Sequence, residues 1–155
     1  MNRHKQLNGS AAEVEAAFYD ALNRADIGGL MALWADDEEI VCIHPGAQRL
    51  IGHAAIRASW EAIFALGGVP VRPFHLHATH NLMSAVHTVI EGGGVGVGVG
   101  VEGGGEGDNS GGEAGHLLAT NVYVKTPRGW RLVLHHVSIA PGLAAPDAAR
   151  TSVLH

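Results

Sequence analysis

The order of hydrophobic periodicities predicts an α+β fold, with helices first and packed on one face of an antiparallel sheet. Three observations carry it. Apolar residues recur at helical spacing as far as Phe64, and from Val71 onward the period changes to two. The last two strand segments are joined by the tight turn Pro127-Arg128-Gly129, which makes them a hairpin.

Residues 1–9 are polar and read as a tail. Ser10-Ala-Ala-Glu13 reads as a capping box, the Ser hydroxyl accepting the N3 amide while Glu13 reaches back. Behind it Val14, Phe18 and Leu22, with Ala17, Ala21 and Ala25, recur at i, i+4 as in an amphipathic helix. After a bend near Asp26, that residue caps a shorter helix through Leu30, Leu33 and Trp34, whose first turn Gly28-Gly29 weakens. Asp36-Asp37 closes the helical hairpin, and Glu39–His44 follows as a short strand ended by Pro45-Gly46. A third helix starts around Gly52; Ile56, Trp60, Ile63 and Phe64 form its apolar stripe, and Gly67-Gly68 and Pro70 end it. Val71–Asn81, Ser84–Glu91, His116–Thr126 and Trp130–Ala140 are the four strands of a meander.

Composition bounds what such a chain can do. Its 155 residues suit one domain, here 10–140, with 1–9 and 141–155 as flexible tails. With 46% hydrophobic and 16% charged residues the composition is globular. One cysteine excludes an internal disulfide framework and a multi-cysteine zinc site. A net charge of −5 argues against nucleic acid, which calls for a cationic footprint. No apolar run is long enough to span a bilayer, and the basic start lacks the apolar core of a secretory signal, so a cytoplasmic location is expected. The glycine-rich stretch 92–115 has no Lys or Arg and joins two strands, so it reads as a long hairpin insert and not as a phosphate loop.

Histidines supply most of the candidate chemistry. Strand alternation puts His75 and His77 on one face and His80 on the other, so two imidazoles can chelate a metal. No third ligand lies at a suitable spacing, and a polar sheet face is the preferred reading, with no metal and no cofactor. Of His135-His136 only one can point inward, and an inward histidine is either a general base or a satisfied core residue. His44 ends a strand, a position from which a side chain enters a cavity mouth. Cys42 shares its strand face but lacks any sign of an oxyanion hole, and reads as core.

Three groups of residues then stand out together: Phe18–Asp26 with Leu33–Asp37, Cys42-Ile-His-Pro-Gly46 with Leu50–Trp60, and Leu118–Tyr123 with Gly129–Ser138. They resemble the nuclear-transport-factor-2-like superfamily, in particular its SnoaL-like and ketosteroid-isomerase-like bacterial members, over roughly residues 10–140. The resemblance implies a cystatin-like, cone-shaped barrel in which a curved antiparallel sheet wraps a long helix around an apolar pocket. It also implies a homodimer through the outer sheet face.

Carried over residue by residue, the isomerases' general base falls on His44, by the shared proline, or on Cys42, by ungapped count. Their oxyanion-binding Tyr falls on Phe18 and their protonated Asp on Asn121. Tyr19, about 100° further round the helix, is not expected to replace the missing hydroxyl. The kinase association domain, a second relative, places pocket Arg residues at Asn121 and Val137 and a pocket Glu at His44. Alternation adds Ala119 and Tyr123 beside Asn121, and Val133 beside His135 and Val137. The expected constellation is His44, Asn121 and His135 in one cavity walled by Phe18, Trp34, Cys42, Trp60, Thr88, Tyr123 and Val137. The function it implies is binding or proton-transfer conversion of a small apolar or carbonyl-containing ligand. The alternative is a non-catalytic homodimerisation or interaction module.

Overall fold

A computed structural model describes residues 9–93 and 116–140. Apart from Gly9, Gly92 and Gly93, the expected tails and the glycine-rich insert lie outside those residues. Helix α1 (Ala11–Arg24) begins at Ser10, whose Oγ accepts the Glu13 amide at 3.1 Å. Glu13 reaches back one residue further than a standard box, accepting the Gly9 amide at 3.0 Å. The helix stops where Ala25 turns left-handed at φ 53°. Asp26 then caps α2 (Ile27–Ala32), its Oδ1 accepting the Gly29 amide at 2.9 Å.

Helix α2 is shorter than its apolar pattern suggests. Leu33 and Trp34 leave it because the sheet claims their backbone: the Leu132 amide donates to Leu33 O and the Ala35 amide to Leu132 O, both at 2.8 Å. Two short strands, β1 (Val41–Ile43) and β2 (Leu50–Ile51), precede α3 (His53–Phe64). The stripe read from sequence holds on α3, with Ile56 and Trp60 buried and Ile63 and Phe64 partly so. At Gly68 a Cβ would collide with the Asn23 carbonyl, so glycine lets this connection press against the end of α1.

Four longer strands follow: β3 (Arg72–His80), β4 (Ser84–Gly92), β5 (Leu117–Thr126) and β6 (Gly129–Ile139). All six strands form one sheet in the order β2-β1-β6-β5-β4-β3. The sheet departs from the expected one in two ways. It is mixed, because β1 runs parallel to β6, with Cys42 opposite His135. It is also open, since β2 and β3 remain edges and do not pair to close a barrel.

Alternation sorts the inner from the outer face. Ala85, His87, Val89 and Glu91 of β4 and Leu117, Ala119, Asn121 and Tyr123 of β5 are buried inward. A bulge between Val122 and Tyr123 pairs Tyr123 with Leu132, so Leu132, not Val133, is the fully buried neighbour on β6. A second irregularity lies between Phe74 and His77, where His75 adopts φ 51°. The two-residue spacing therefore no longer fixes His75 and His77 on a common face. Among the described residues no group of three or more His, Cys, Asp or Glu is arranged to hold a metal ion, and no helix is long and apolar enough to cross a membrane.

Ala25 offers a direct test of this backbone. A left-handed Cβ costs about 1–2 kcal/mol, of which the greater freedom of glycine in the unfolded chain returns part. Ala25→Gly should raise stability by roughly 0.5–1 kcal/mol in urea unfolding. A loss of stability would show that Ala25 is not held left-handed.

Candidate functional site

The buried face of α1 is two stripes wide, because the helix lies in the hollow of the sheet. Glu15 and Tyr19 are as buried as Val14, Phe18 and Leu22. The carboxylate oxygen Glu15 Oε2 meets His87 Nδ1 at 2.8 Å, accepts the Tyr123 hydroxyl at 2.8 Å and takes a longer contact from Asn121 Nδ2 at 3.5 Å. One turn on, the Tyr19 hydroxyl donates to Glu91 Oε2 at 2.7 Å and accepts from Asn121 Nδ2 at 3.1 Å. Asn121 Oδ1 faces His135 Nδ1 at 2.6 Å. A continuous polar spine thus runs through the apolar core from His135 to Glu91.

Burial dominates the electrostatics of this spine. It pushes the Glu91 carboxyl up to about 7, with nearby Glu15 adding to the rise and the Tyr19 hydroxyl opposing it. Burial first, and the facing glutamates second, hold the Tyr19 and Tyr123 phenols far above their ordinary range. His135 is driven down to about 3 by burial, with His44 and His136 adding like-charge repulsion, so it is neutral near pH 7. The amide of Asn121 leaves His135 one arrangement: Nδ2 is used by Tyr19 and Glu15, so Oδ1 must accept and His135 Nδ1 must carry its proton.

At the other end stands His44, half-buried just beyond β1. Its ring meets Trp60 edge-on at 4.7 Å, and Trp60 in turn lies 6.0 Å from the ring of His135. His44 Nε2 is 3.0 Å from Ser59 Oγ and 3.9 Å from Cys42 Sγ. The serine settles the tautomer. Ser59 Oγ lies 2.8 Å from the Ile56 carbonyl oxygen, a separation that needs a proton between the two oxygens, and only the hydroxyl has one. His44 Nε2 must therefore be the donor to Ser59, which leaves Nδ1 with a lone pair. Burial lowers the His44 pKa, favouring that neutral form. Cys42, pushed up to about 12 by burial, is a thiol and not a nucleophilic thiolate. The indole nitrogens of Trp34 and Trp60 are both buried, and the Trp60 N–H acts as a donor toward the Cys42 thiol, opposing the larger effect of burial on it.

The structure brings several of the residues named from the sequence together. His44, Cys42, Trp60, Phe18 and His135 lie in one cluster of ring and strand contacts, and Asn121 joins it through His135. Trp34, Tyr123 and Val137 are buried on the same core side. Thr88 is a correction: alternation places it with Thr120 on the opposite sheet face, and its neighbour His87 points inward. Tyr19 is another, because the wide buried face of α1 carries its hydroxyl to Asn121 despite the turn from Phe18. Asn121 itself is saturated by side chains and holds other groups in place.

Sequence reasoning missed Glu15, His87 and Glu91. The last two carried a usable signal: they share the strand parity of Ala85 and Val89, which marks them as inward.

Helices on a curved, open α+β sheet with a polar cluster in the hollow define a cystatin-like protein of the nuclear-transport-factor-2-like superfamily. The chain belongs to the SnoaL-like domain family, which it matches over residues 12–141. It is 31% identical to a candidate calcium/calmodulin-dependent protein kinase type II association domain from Thiobacillus denitrificans, covering 86% of this chain and 98% of that one at a TM-score of 0.71. It is 28% identical to a candidate dehydratase of the NTF2-like family from Streptomyces avermitilis, covering 83% and 92% of the two chains at a TM-score of 0.62. An NTF2-like protein with a cystatin-like fold from Novosphingobium aromaticivorans, 21% identical over 99% of this chain and 90% of that one, has the same fold at a TM-score of 0.58. No curated protein matches.

The spine predicts a specific pH response. Glu91 binds its proton more tightly folded than unfolded, so it removes stability as pH rises from about 4.5 to about 7. His135 acts oppositely over a partly shared range, removing stability as pH falls from 6.5 toward about 3. Glu91→Gln deletes only the first effect. Relative to the parent protein, its stability should climb with pH between about 4.5 and 7, by up to ~1.4 kcal/mol per pH unit. Urea midpoints at matched pH values test this; a difference that stays constant across the range rules it out.

Proposed function

We propose that the His44–Trp60 end of the inner face is a small-molecule site whose chemistry is proton transfer from an apolar, carbonyl-containing ligand. The observation that carries this reading is the lone pair left on half-buried His44 Nδ1 by the Ser59 hydrogen bond. A neutral imidazole of lowered pKa is a competent general base near neutral pH. His135 and Asn121 stand behind the base as positioning groups. The isomerase, cyclase and dehydratase chemistry implied by the resemblance, and the similarity to a candidate dehydratase, suit this assignment. A cytoplasmic enzyme or binder with no metal, cofactor or nucleic acid partner is the corresponding whole.

The test is a thermal-shift screen of small carbonyl compounds against the parent protein and His44→Ala. Hits should stabilise the parent by RT ln(1 + [L]/Kd) and lose most of that shift in the variant. Where turnover is found, the rate should rise through a midpoint below pH 6.5 and then level off. Hits that shift both proteins equally refute the site.

The second reading, a homodimerising interaction module, rests on the outer sheet face. Val86 and Leu118 there are 40% and 42% exposed, and the similarity to an association domain points the same way. Such a dimer, seated on the outer faces of β3 and β5, would bury about 1,200–2,000 Å². Light scattering at micromolar concentration should give twice the chain mass; a monomer mass removes this reading.

A further inference from the structure

We infer, resting on the reading of the outer sheet face as a homodimer interface, that the dimer is gated by protons: it forms while His77 and His136 are neutral and opens when they gain charge. The strand registers set these histidines in one row across that face. His77 is opposite Thr88, Thr88 opposite Thr120, Thr120 opposite His136, and His136 opposite Ile43 of β1. Directly paired residues share a face, so this row stands on the side away from the inward His87 and Asn121. Three strand spacings, about 14 Å, separate the two imidazoles. Both are exposed, and neither makes a hydrogen bond among the described residues.

The face around the row suits its own copy. In a two-fold dimer one patch meets itself, so any charge on it meets its like. The chain has a net charge of −5, yet the carboxyl group carried by the long strands, that of Glu91, is buried inward. The exposed acidic side chains lie elsewhere, on α1, on α3 and at Asp36–Glu39. Arg72 and Arg131 stand at opposite margins of the face, opposite Gly92 and Val124. Beside the histidine row runs an apolar one, with Val86 opposite Val122 and Val122 opposite Leu134. Thr88, Thr120 and a neutral imidazole each donate and accept, so each can meet a second copy of itself.

Protonation removes that match. No group of opposite sign faces either ring: Thr88 stands opposite His77, and Thr120 and Ile43 flank His136. On the inner face behind His136 is His135, a second imidazole that His136 repels when both are charged. The other titratable groups of β3 are His75, at the irregularity, and His80, on the parity of inward Ala85. An imidazolium sealed between two sheets lacks both water and a counter-ion, so charge is taken up by the separated chains. Dimer affinity is therefore full above the imidazole range and is lost as pH falls through it. Each imidazole that the interface admits only as the neutral form weakens pairing about ten-fold between pH 7.5 and 5.5.

Light scattering over a concentration series at pH 7.5 and 5.5 reads the dissociation constant, which should rise at least about ten-fold at the lower pH. His77→Gln and His136→Gln together, whose amides donate and accept without titrating, should pair alike at both pH values. Dilution calorimetry of the parent protein at pH 6.5, in two buffers of different ionisation enthalpy, should show protons taken up on dissociation. Either single variant should take up about half as many. Near-UV circular dichroism should be the same at both pH values, which sets dissociation apart from unfolding. Equal affinity at both pH values, no proton uptake, pH dependence kept in the double variant, or loss of the near-UV signal at pH 5.5 overturns the gate and leaves the dimer standing. A monomer mass at pH 7.5 overturns the dimer and the gate together.

Discussion

A single carboxylate oxygen, Glu15 Oε2, holds the helix in the sheet. It draws His87 from β4 and Tyr123 from β5, each at 2.8 Å, into the middle of an otherwise apolar core. Removing a carboxylate from water is costly unless donors replace the water, and here two strands provide them. The consequence is registry. Hydrophobic contact would let α1 slide or rotate over Ala119, Val89 and Leu132, whereas three polar groups meeting at one point permit one position. Everything further along the spine inherits that position: Tyr19 reaches Glu91, Asn121 is oriented between Tyr19 and Glu15, and His135 is left with its proton on Nδ1.

The periodicities made the three helices and four long strands legible, because burial of one face imposes period 3.6 or 2 directly on the sequence. Asn121 and His135 are buried inward for the same reason. What stayed hidden depends on partners distant in sequence. The early end of α2 is decided by hydrogen bonds from Leu132, which no local pattern around Leu33 records. The burial of Glu15 and Tyr19 requires knowing that α1 is covered from two directions, and a one-stripe reading takes them for solvent-facing residues. The bulge that replaces Val133 by Leu132 changes strand parity without a glycine or proline to announce it. Thr88, expected in the cavity wall, lies one residue from the inward His87 and so has the outward parity.

The family resemblance and the residues answer different questions. The SnoaL-like match fixes the architecture over residues 12–141, and that architecture hosts unrelated chemistries. In this chain a hydrogen-bonded interior lies behind the half-buried His44. His44 and Ser59 remain partly exposed, while Asn121, Glu15 and Tyr19 are consumed by one another.

The parallel pairing of β1 with β6 joins segments from opposite ends of the fold. Cys42 finds its neighbour His135 only after the final hairpin has been synthesised, and Trp60 and Phe18 obtain their second aromatic wall at the same moment. Contacts of such high sequence separation carry a large loop-closure entropy and form late in folding. On the ribosome, the N-terminal half therefore waits with its aromatic residues uncovered, and the cluster of Phe18, Trp60 and His135 comes together as the last strand docks. The pairing of Cys42 with His135 is a property of the finished chain, acquired in one step.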